Sequence, residues 1–266
     1  MSHLLRGSAP ISDDGWRMLD EEATERLTPA LAARKLVDFS GPHGWDYSAT
    51  NLGRTTAPDK GPSDGVTGRK RRVLPVVELR ADFEIQRQEL RDADRGAEDA
   101  DLAPLDKAAH QMALAENIAV FHGWEDAITG IAEASPHESH AIGDSANDYP
   151  RHVAGATERM LCEGIGGPYG LALGRHQYRR VVETAEHGGY PLLDHLHRIL
   201  DGPIIWAPGV DGAVVLSLRG GDFLFESGQD LSIGYDSHDA NVVRLYLEES
   251  FSFHVATPEA AVALTP

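Results

Sequence analysis

Residues able to do chemistry are plentiful in this chain, but their spacing is not that of a catalytic centre. Thirteen histidines invite a metal or acid–base reading. His137, Glu138, Ser139 and His140 crowd together. Two metal ligands on one helix face need the H-E-x-x-H spacing, and here the second histidine comes one residue early. No histidine stands three residues after a glutamate, so the E-x-x-H pattern of di-iron bundles is absent. His195 and His197 are two apart, which on a helix points them in different directions. These histidines read as scattered surface residues, with no metal ligands among them. The glycine-rich run GIGGPYG at 164–170 has the look of a dinucleotide loop. It follows a predicted helix and precedes a predicted strand, the reverse of the required order, and Pro168 would spoil a helix start. No G-x-S-x-G elbow occurs, and no Ser, His and Asp are singled out as a triad. Cys162, the one cysteine, follows Met160 and Leu161 in a helix-like segment and reads as a buried structural thiol. A lone cysteine excludes an intrachain disulfide and fits a reducing cytoplasm.

Charge narrows the partners. The 266 residues carry 42 acidic against 24 basic side chains, a formal net charge of -18. Such a balance argues against nucleic acid as the main partner. The local exception is Arg69, Lys70, Arg71 and Arg72. This run could touch phosphate, but between glycine-rich and apolar segments it reads better as a solvated loop or an interface edge. No stretch approaches the roughly 18 apolar residues of a membrane span, and Met1 to Pro10 lack the apolar core of a signal peptide. The expectation is a cytosolic protein with no membrane partner.

The elements that must position these residues follow a mixed order. Ser12, Asp13 and Asp14 offer helix caps. Trp16, Leu19, Ala23 and Leu27 recur at spacings of three and four, one face of a helix, while Asp20, Glu21 and Glu25 mark the other. Thr28 and Pro29 predict a restart. Residues 47–74 are rich in Gly, Thr, Asp and Pro, and so long a poorly packed excursion predicts an extended two-stranded arm. Leu79, Ala81, Phe83 and Ile85 alternate with polar residues as a strand does. The strongest helix spans 102–119, with Leu105, Ala108, Met112, Ala115 and Ala119 on one face; Gly123 interrupts it, and a shorter helix follows to Ala134. Further helices are predicted from Tyr149 to Gly164, over 177–185 and over 192–200. Strands are predicted over 171–173, 204–206, 214–218 and 223–225, and the longest over 243–255. The order does not alternate strand and helix, which disfavours a parallel doubly wound sheet and points to an α+β fold. A projecting arm and an amphipathic terminal helix, without a catalytic constellation, describe an assembly protein and no enzyme.

Four blocks carry a family resemblance: LAARKLVDFSGPHGWDY at 31–47, LPVVELR at 74–80, EGIGGPY at 163–169, and RGGDF at 219–223 followed by GQDLSIGY at 228–235. In order along the chain, they resemble family 1 encapsulins, the linocin-like shell proteins. The resemblance implies the HK97-like phage capsid fold. A discontinuous P-domain would take residues 1–46, 75–134 and 223–266, an E-loop 47–74, and an A-domain 135–222. It implies a structural shell subunit of a nanocompartment, with family members of this length forming sixty-subunit, T=1 icosahedral shells. Small molecules would pass through pores. The cargo would be an enzyme bearing a C-terminal targeting peptide, often a dye-decolourising peroxidase. Some members hold a flavin against a tryptophan where this chain has Gln88, so no cofactor is expected.

The family's pore loop falls on Glu186, His187, Gly188, Gly189 and Tyr190. Adjacent glycines between helices suit a tight exposed turn, and a ring of His187 would gain charge as pH falls through about 6.5. An ordinary helix–helix turn is the alternative. The family's cargo site falls between the Arg34–Asp38 stretch and the Asp230–Ile233 strand. Leu27, Leu231 and Ile233 would supply apolar contacts, and Arg34, Asp38 and Asp230 polar ones. The alternative is that these residues are plain core and an ion pair. Two other functions stay open: a linocin-type bacteriocin with hydrolase or protease activity, for which no nucleophile with a base is visible, and a phage capsid protein, against which the acidic charge weighs.

Overall fold

Ser12 opens the first long helix as its side chain predicts, its Oγ accepting the Gly15 amide at 2.9 Å. Asp13 and Asp14 lie in the first turn, where the helix dipole favours negative charge. The computed structural model describes residues 3–57, 63–143, 145–186 and 189–266. Helix α1 runs unbroken over Asp13–Ala30. The expected restart at Thr28 does not occur: Pro29 lies one residue from the helix end, where its missing N–H removes only one late bond. The order then continues with β1 (Asp38–Ser40), β2 (Ala49–Thr56), β3 (Lys70–Pro75), β4 (Val77–Gln86), α2 (Arg87–Asp94), α3 (Ala103–Phe121) and α4 (Ile131–Ala134). Next come β5 (His140–Ala141), α5 (Tyr149–Cys162), β6 (Tyr169–Leu173), α6 (Arg175–Glu183), α7 (Leu192–Leu200) and β7 (Ile204–Trp206). The chain ends with β8 (Ala213–Ser217), β9 (Phe223–Ser227), β10 (Ser232–His238), β11 (Val242–Val255) and β12 (Ala261–Thr265). Gly123, at φ 101°, stops α3, and the helix expected to follow shrinks to the single turn of α4.

Two five-stranded sheets and one two-stranded arm result. The first sheet is built on β11, which pairs antiparallel with β4, β9 and β10, while β1 adds parallel to β9. α3 packs on β4 and β11, and α1 packs on α3. The stripe Trp16, Leu19, Ala23 and Leu27 thereby joins Phe83, Ile85, Leu105, Met112, Ile233 and Leu245 in one core. Residues Leu245 to Phe253 of β11 are buried without interruption, because both faces of this strand are covered there.

The second sheet runs β5-β12-β8-β6-β7 and carries its own core, with Tyr149, Val153, Met160, Leu196 and Leu200 from α5 and α7. Strand β12 lies inside the 223–266 stretch expected with the first sheet. It pairs instead with β8, from Ala261 opposite Leu216 to Leu264 opposite Ala213. Cys162 is exposed, which corrects the expected buried thiol. The buried stripe of α5 is Tyr149, Val153, Ala156, Thr157 and Met160, and a residue two beyond Met160 turns outward with Leu161, itself 59% exposed.

Candidate functional site

The turn after α1 is fixed by one buried side chain. Asn117, on α3, accepts at Oδ1 the amides of Ala32 (3.0 Å) and Ala33 (3.1 Å). Its Nδ2 donates to the carbonyls of Ala30 (2.9 Å) and Pro208 (3.0 Å). All four of its hydrogen-bonding positions are used, so the backbone at 30–33 has one arrangement. Arg34 therefore projects inward. Its Nε donates to Glu116 at 2.6 Å, its Nη1 to Asp230 at 2.6 Å and its Nη2 to Glu249 at 2.8 Å. The guanidinium also lies over the rings of Phe39 and Phe225. Burial disfavours the arginine's charge, but Glu116, Glu249 and Asp230 outweigh it and hold the group above its usual range.

Glu116 and Glu249 are 0% and 1% exposed. Burial raises the acid dissociation point of both; that of Glu249 goes well above the usual carboxylate range, with the charge of Glu116 adding to it. Arg34 bonds the Oε2 atom of each. Their Oε1 atoms are buried with no hydrogen-bond partner among the described residues. A carboxyl pair of this kind has the electronics of acid–base chemistry but no access for a substrate.

The residues expected to hold a cargo peptide divide into three groups. Arg34 and Asp230 are brought together, and Asp230 Oδ1 also accepts the Leu231 amide at 2.8 Å. Leu27 and Ile233 are buried in the first core, and Leu231 packs half-buried against it. Asp38 stands apart: its Oδ2 accepts the Gly221 amide at 2.6 Å, beside a crevice of about 200 Å³. Sequence reasoning missed an open groove of about 820 Å³ along the outer face of α1. Arg6, Trp16, Asp20, Glu21, Thr24 and Pro29 are among its walls. Arg6 lies 4.1 Å over the Trp16 ring and pairs with Asp20 at 2.6 Å. The polar face of the helix was visible in the sequence; the short turn at Arg6–Ser8 that makes it a groove was not.

Of the expected pore loop, His187 and Gly188 lie outside the described residues. Glu186 and Tyr190 close a tight turn between α6 and α7. The Glu186 amide donates to the Tyr190 carbonyl at 2.8 Å, and the Gly189 amide to the Glu186 carbonyl at 2.9 Å. Gly189 takes φ 81°, which a side chain would disfavour. Glu186 also meets the Nδ1 of His195 at 2.9 Å, tying the turn to α7.

Ser40, His43 and Glu226 form a serine–histidine–glutamate grouping. Ser40 Oγ lies 3.2 Å, and Glu226 Oε2 2.7 Å, from the Nε2 of His43. Both use the same ring nitrogen, so the imidazole cannot take a proton from the serine while the carboxylate orients its other side. Among the described residues no cluster of three metal-ligating side chains occurs, and no helix is long and apolar enough to cross a membrane.

The arm of β2 and β3 pairs Ala49 with Pro75 at its base and Thr56 with Lys70 further out. Thr50 Oγ1 meets Ser252 Oγ of β11 at 2.5 Å, which anchors that base. Beyond it both strands are largely exposed. A two-stranded ribbon with open edges is marginal alone and is a template for pairing with another chain.

The family described as "Encapsulating protein for peroxidase" (Linocin_M18) matches residues 1–252. The type 1 encapsulin shell protein of Rhodospirillum rubrum is 48% identical over 99% of this chain and 96% of its own. That of Mycobacterium tuberculosis is 39% identical over the full length of both. Among solved structures, the virus-like particle from Pyrococcus furiosus superimposes with a TM-score of 0.68 at 18% identity, covering 94% of this chain and 98% of that one. Mycobacterium phage Bobi gives 0.58 at 13% identity, covering 89% and 90%. The fold is therefore that of HK97-like capsid proteins, α+β with mixed helices and sheets.

Proposed function

The chain belongs to the family of type 1 encapsulin shell proteins, as a structural subunit and not a catalyst, and from that premise we propose that sixty copies close into a T=1 icosahedral cage around a cargo enzyme. The observation that carries this reading is the β2–β3 arm, exposed along two open strand edges that a neighbouring subunit can cover. Residues 47–74 then act as the E-loop, 135–222 as the A-domain, and the first sheet with α1 and α3 as the P-domain, which β12 leaves to join the A-domain sheet. Cargo arrives by a C-terminal targeting peptide laid against α1, Asp230 and Leu231, with Leu27, Arg34 and Ile233 supporting that surface from within and Asp38 at its margin. The peroxidase in the family's description makes a dye-decolourising peroxidase the cargo to try first. The turn from Glu186 to Tyr190 lines a pore, and the assembly resides in the cytoplasm.

Sedimentation and negative-stain microscopy test the cage. Wild-type protein should form closed shells, and deletion of residues 50–70 should leave small oligomers. Wild-type protein that stays monomeric or dimeric at micromolar concentration would sink the proposal. For the cargo site, Leu231→Asp should give shells that assemble but emerge empty on co-expression with tagged cargo. Loading at the wild-type level would place the site elsewhere.

A further inference from the structure

The arm is a strongly basic stretch of an acidic subunit. Residues 47–74 hold six basic side chains (Arg54, Lys60, Arg69, Lys70, Arg71, Arg72) against two acidic ones, Asp59 and Asp64. Of the chain totals, this leaves 18 of 24 basic and 40 of 42 acidic residues for everything else. The body's arginines are largely engaged: Arg6, Arg17, Arg26, Arg34, Arg80, Arg219 and Arg244 each hold a carboxylate. None of Arg54, Arg69, Lys70, Arg71 and Arg72 faces a described carboxylate within ion-pair distance; Arg69 has only a 3.5 Å contact to Thr55 Oγ1. Their charge is felt nearby. His254 on β11 is held below the usual imidazole range, first by burial and then by Arg72. The same arm exposes two valines, Val66 at 50% and Val73 at 47%.

We infer that the β2–β3 arm docks on the carboxylate-rich surface of a second copy of this chain, with Arg69, Lys70, Arg71 and Arg72 as the recognising charges. The inference rests on the shell reading and adds what the arm recognises. Charge complementarity carries it: each subunit presents a basic arm and a body with more than twice as many acids as bases. A second copy also offers apolar cover to Val66 and Val73, which a polyanion does not. Nucleic acid, the other partner for such a run, would meet repulsion from the rest of the surface. Contacts of this kind, at an exposed interface, act on association rate and on salt dependence. The Debye length falls from about 10 Å at 0.1 M salt to about 3 Å at 1 M, so assembly should weaken as salt rises.

The experiment measures the critical concentration for shell assembly by sedimentation between about 0.05 and about 1 M NaCl. Wild-type protein should require at least about tenfold more subunit at the high-salt end. The variant Arg69→Gln, Lys70→Gln, Arg71→Gln, Arg72→Gln should need that excess already at low salt and show little further dependence. A charge-keeping control, Arg69→Lys, Arg71→Lys, Arg72→Lys, should behave as wild type, which separates loss of charge from damage to the strand. In shells assembled from isotopically light and heavy subunits, carbodiimide should join the Lys70 amine to an Asp or Glu of the other copy. Wild-type protein that assembles at no salt concentration overturns the shell reading and this inference with it. Wild-type shells together with a glutamine variant of equal salt tolerance overturn this inference alone. Nuclease-sensitive nucleic acid that co-purifies with wild type and is lost from the glutamine variant, with no Lys70 cross-link, would assign the run to a polyanion and overturn it too.

Discussion

Replacing Arg34 by methionine tests the buried charge cluster most directly. Methionine keeps most of the side-chain volume, and its thioether can still lie against Phe39 and Phe225. What disappears is the cation bonded to Glu116 and Glu249, which are 0% and 1% exposed. Breaking a buried pair from one side costs about 3–5 kcal/mol, because the remaining charge stays desolvated. For a chain of this size about 1 kcal/mol moves the melting temperature by roughly 2–4 °C. The variant should therefore melt about 6–20 °C lower by calorimetry at matched subunit concentration. The pH dependence gives a second reading. The folded-state dissociation point of Glu249 is raised above its unfolded value of 4.5. Below 4.5 both states hold the proton and the group costs nothing. Above it the unfolded chain releases the proton while the folded chain keeps it, so stability falls with pH until the folded dissociation point is passed. The slope is at most about 1.4 kcal/mol per pH unit for each proton held. Arg34→Met should steepen this fall, and Glu249→Gln in the wild-type background should flatten it. Adding Glu116→Gln and Glu249→Gln to Arg34→Met should recover most of the lost melting temperature. An Arg34→Met protein that melts within a degree of wild type, with an unchanged pH profile, would refute the reasoning.

Three smaller predictions accompany it. Asn117→Ala removes four hydrogen bonds and leaves buried backbone groups unpaired, so it should cost about 3 kcal/mol or more and raise amide exchange at 32 and 33, read by mass spectrometry. Cys162→Ser should change stability by less than about 0.5 kcal/mol in denaturant titration, as an exposed site does; a larger loss would mean the thiol is packed. Asp239 accepts the amides of Asn241 and Val242 and pairs with Arg244, which lowers its dissociation point to about 2. Its contribution is present above the unfolded value of 3.8 and lost as pH falls through about 2. A carboxyl carbon resonance that titrates near 4 would contradict this.

Where burial follows one periodicity, the sequence was readable. The stripe of α1 and the whole of α7 and β7 stand where their spacing puts them. α3 was legible as a helix but not as a site. Its pattern of Leu105, Ala108 and Met112 announces one apolar face, while Glu116 and Asn117, polar by type, are as buried as those. Their burial depends on Arg34 and on backbone groups at 30–33, more than eighty residues away in the chain. No local window contains both partners. The same holds for Glu249, which marks the one break in the apolar alternation of β11 and proves to be the place where that alternation meets the arginine. β12 was missed for another reason. Ala261 to Thr265 is a short strand of small and apolar residues with no alternation of its own, and its pairing with β8 and β5 defines it. The charge of the arm was visible in four consecutive residues; that no described carboxylate pairs with it required the ion pairs of the body.

The lateness of β11 and β12 has a consequence for how the protein is made. β11 is the strand on which β4, β9 and β10 all depend, and β12 sits inside the second sheet between β5 and β8. Every strand that either one pairs with is synthesised before it. A chain still on the ribosome therefore holds β4, β9 and β10 without their common neighbour, and β8 with one edge bare. Non-local pairing of this kind makes folding slow and leaves open edges exposed in the meantime. The first sheet cannot be completed until translation has passed residue 255, nor the second until it has passed residue 265. In the proposed cage, the order of the strands would hold a growing polypeptide back from assembly until both sheets can close.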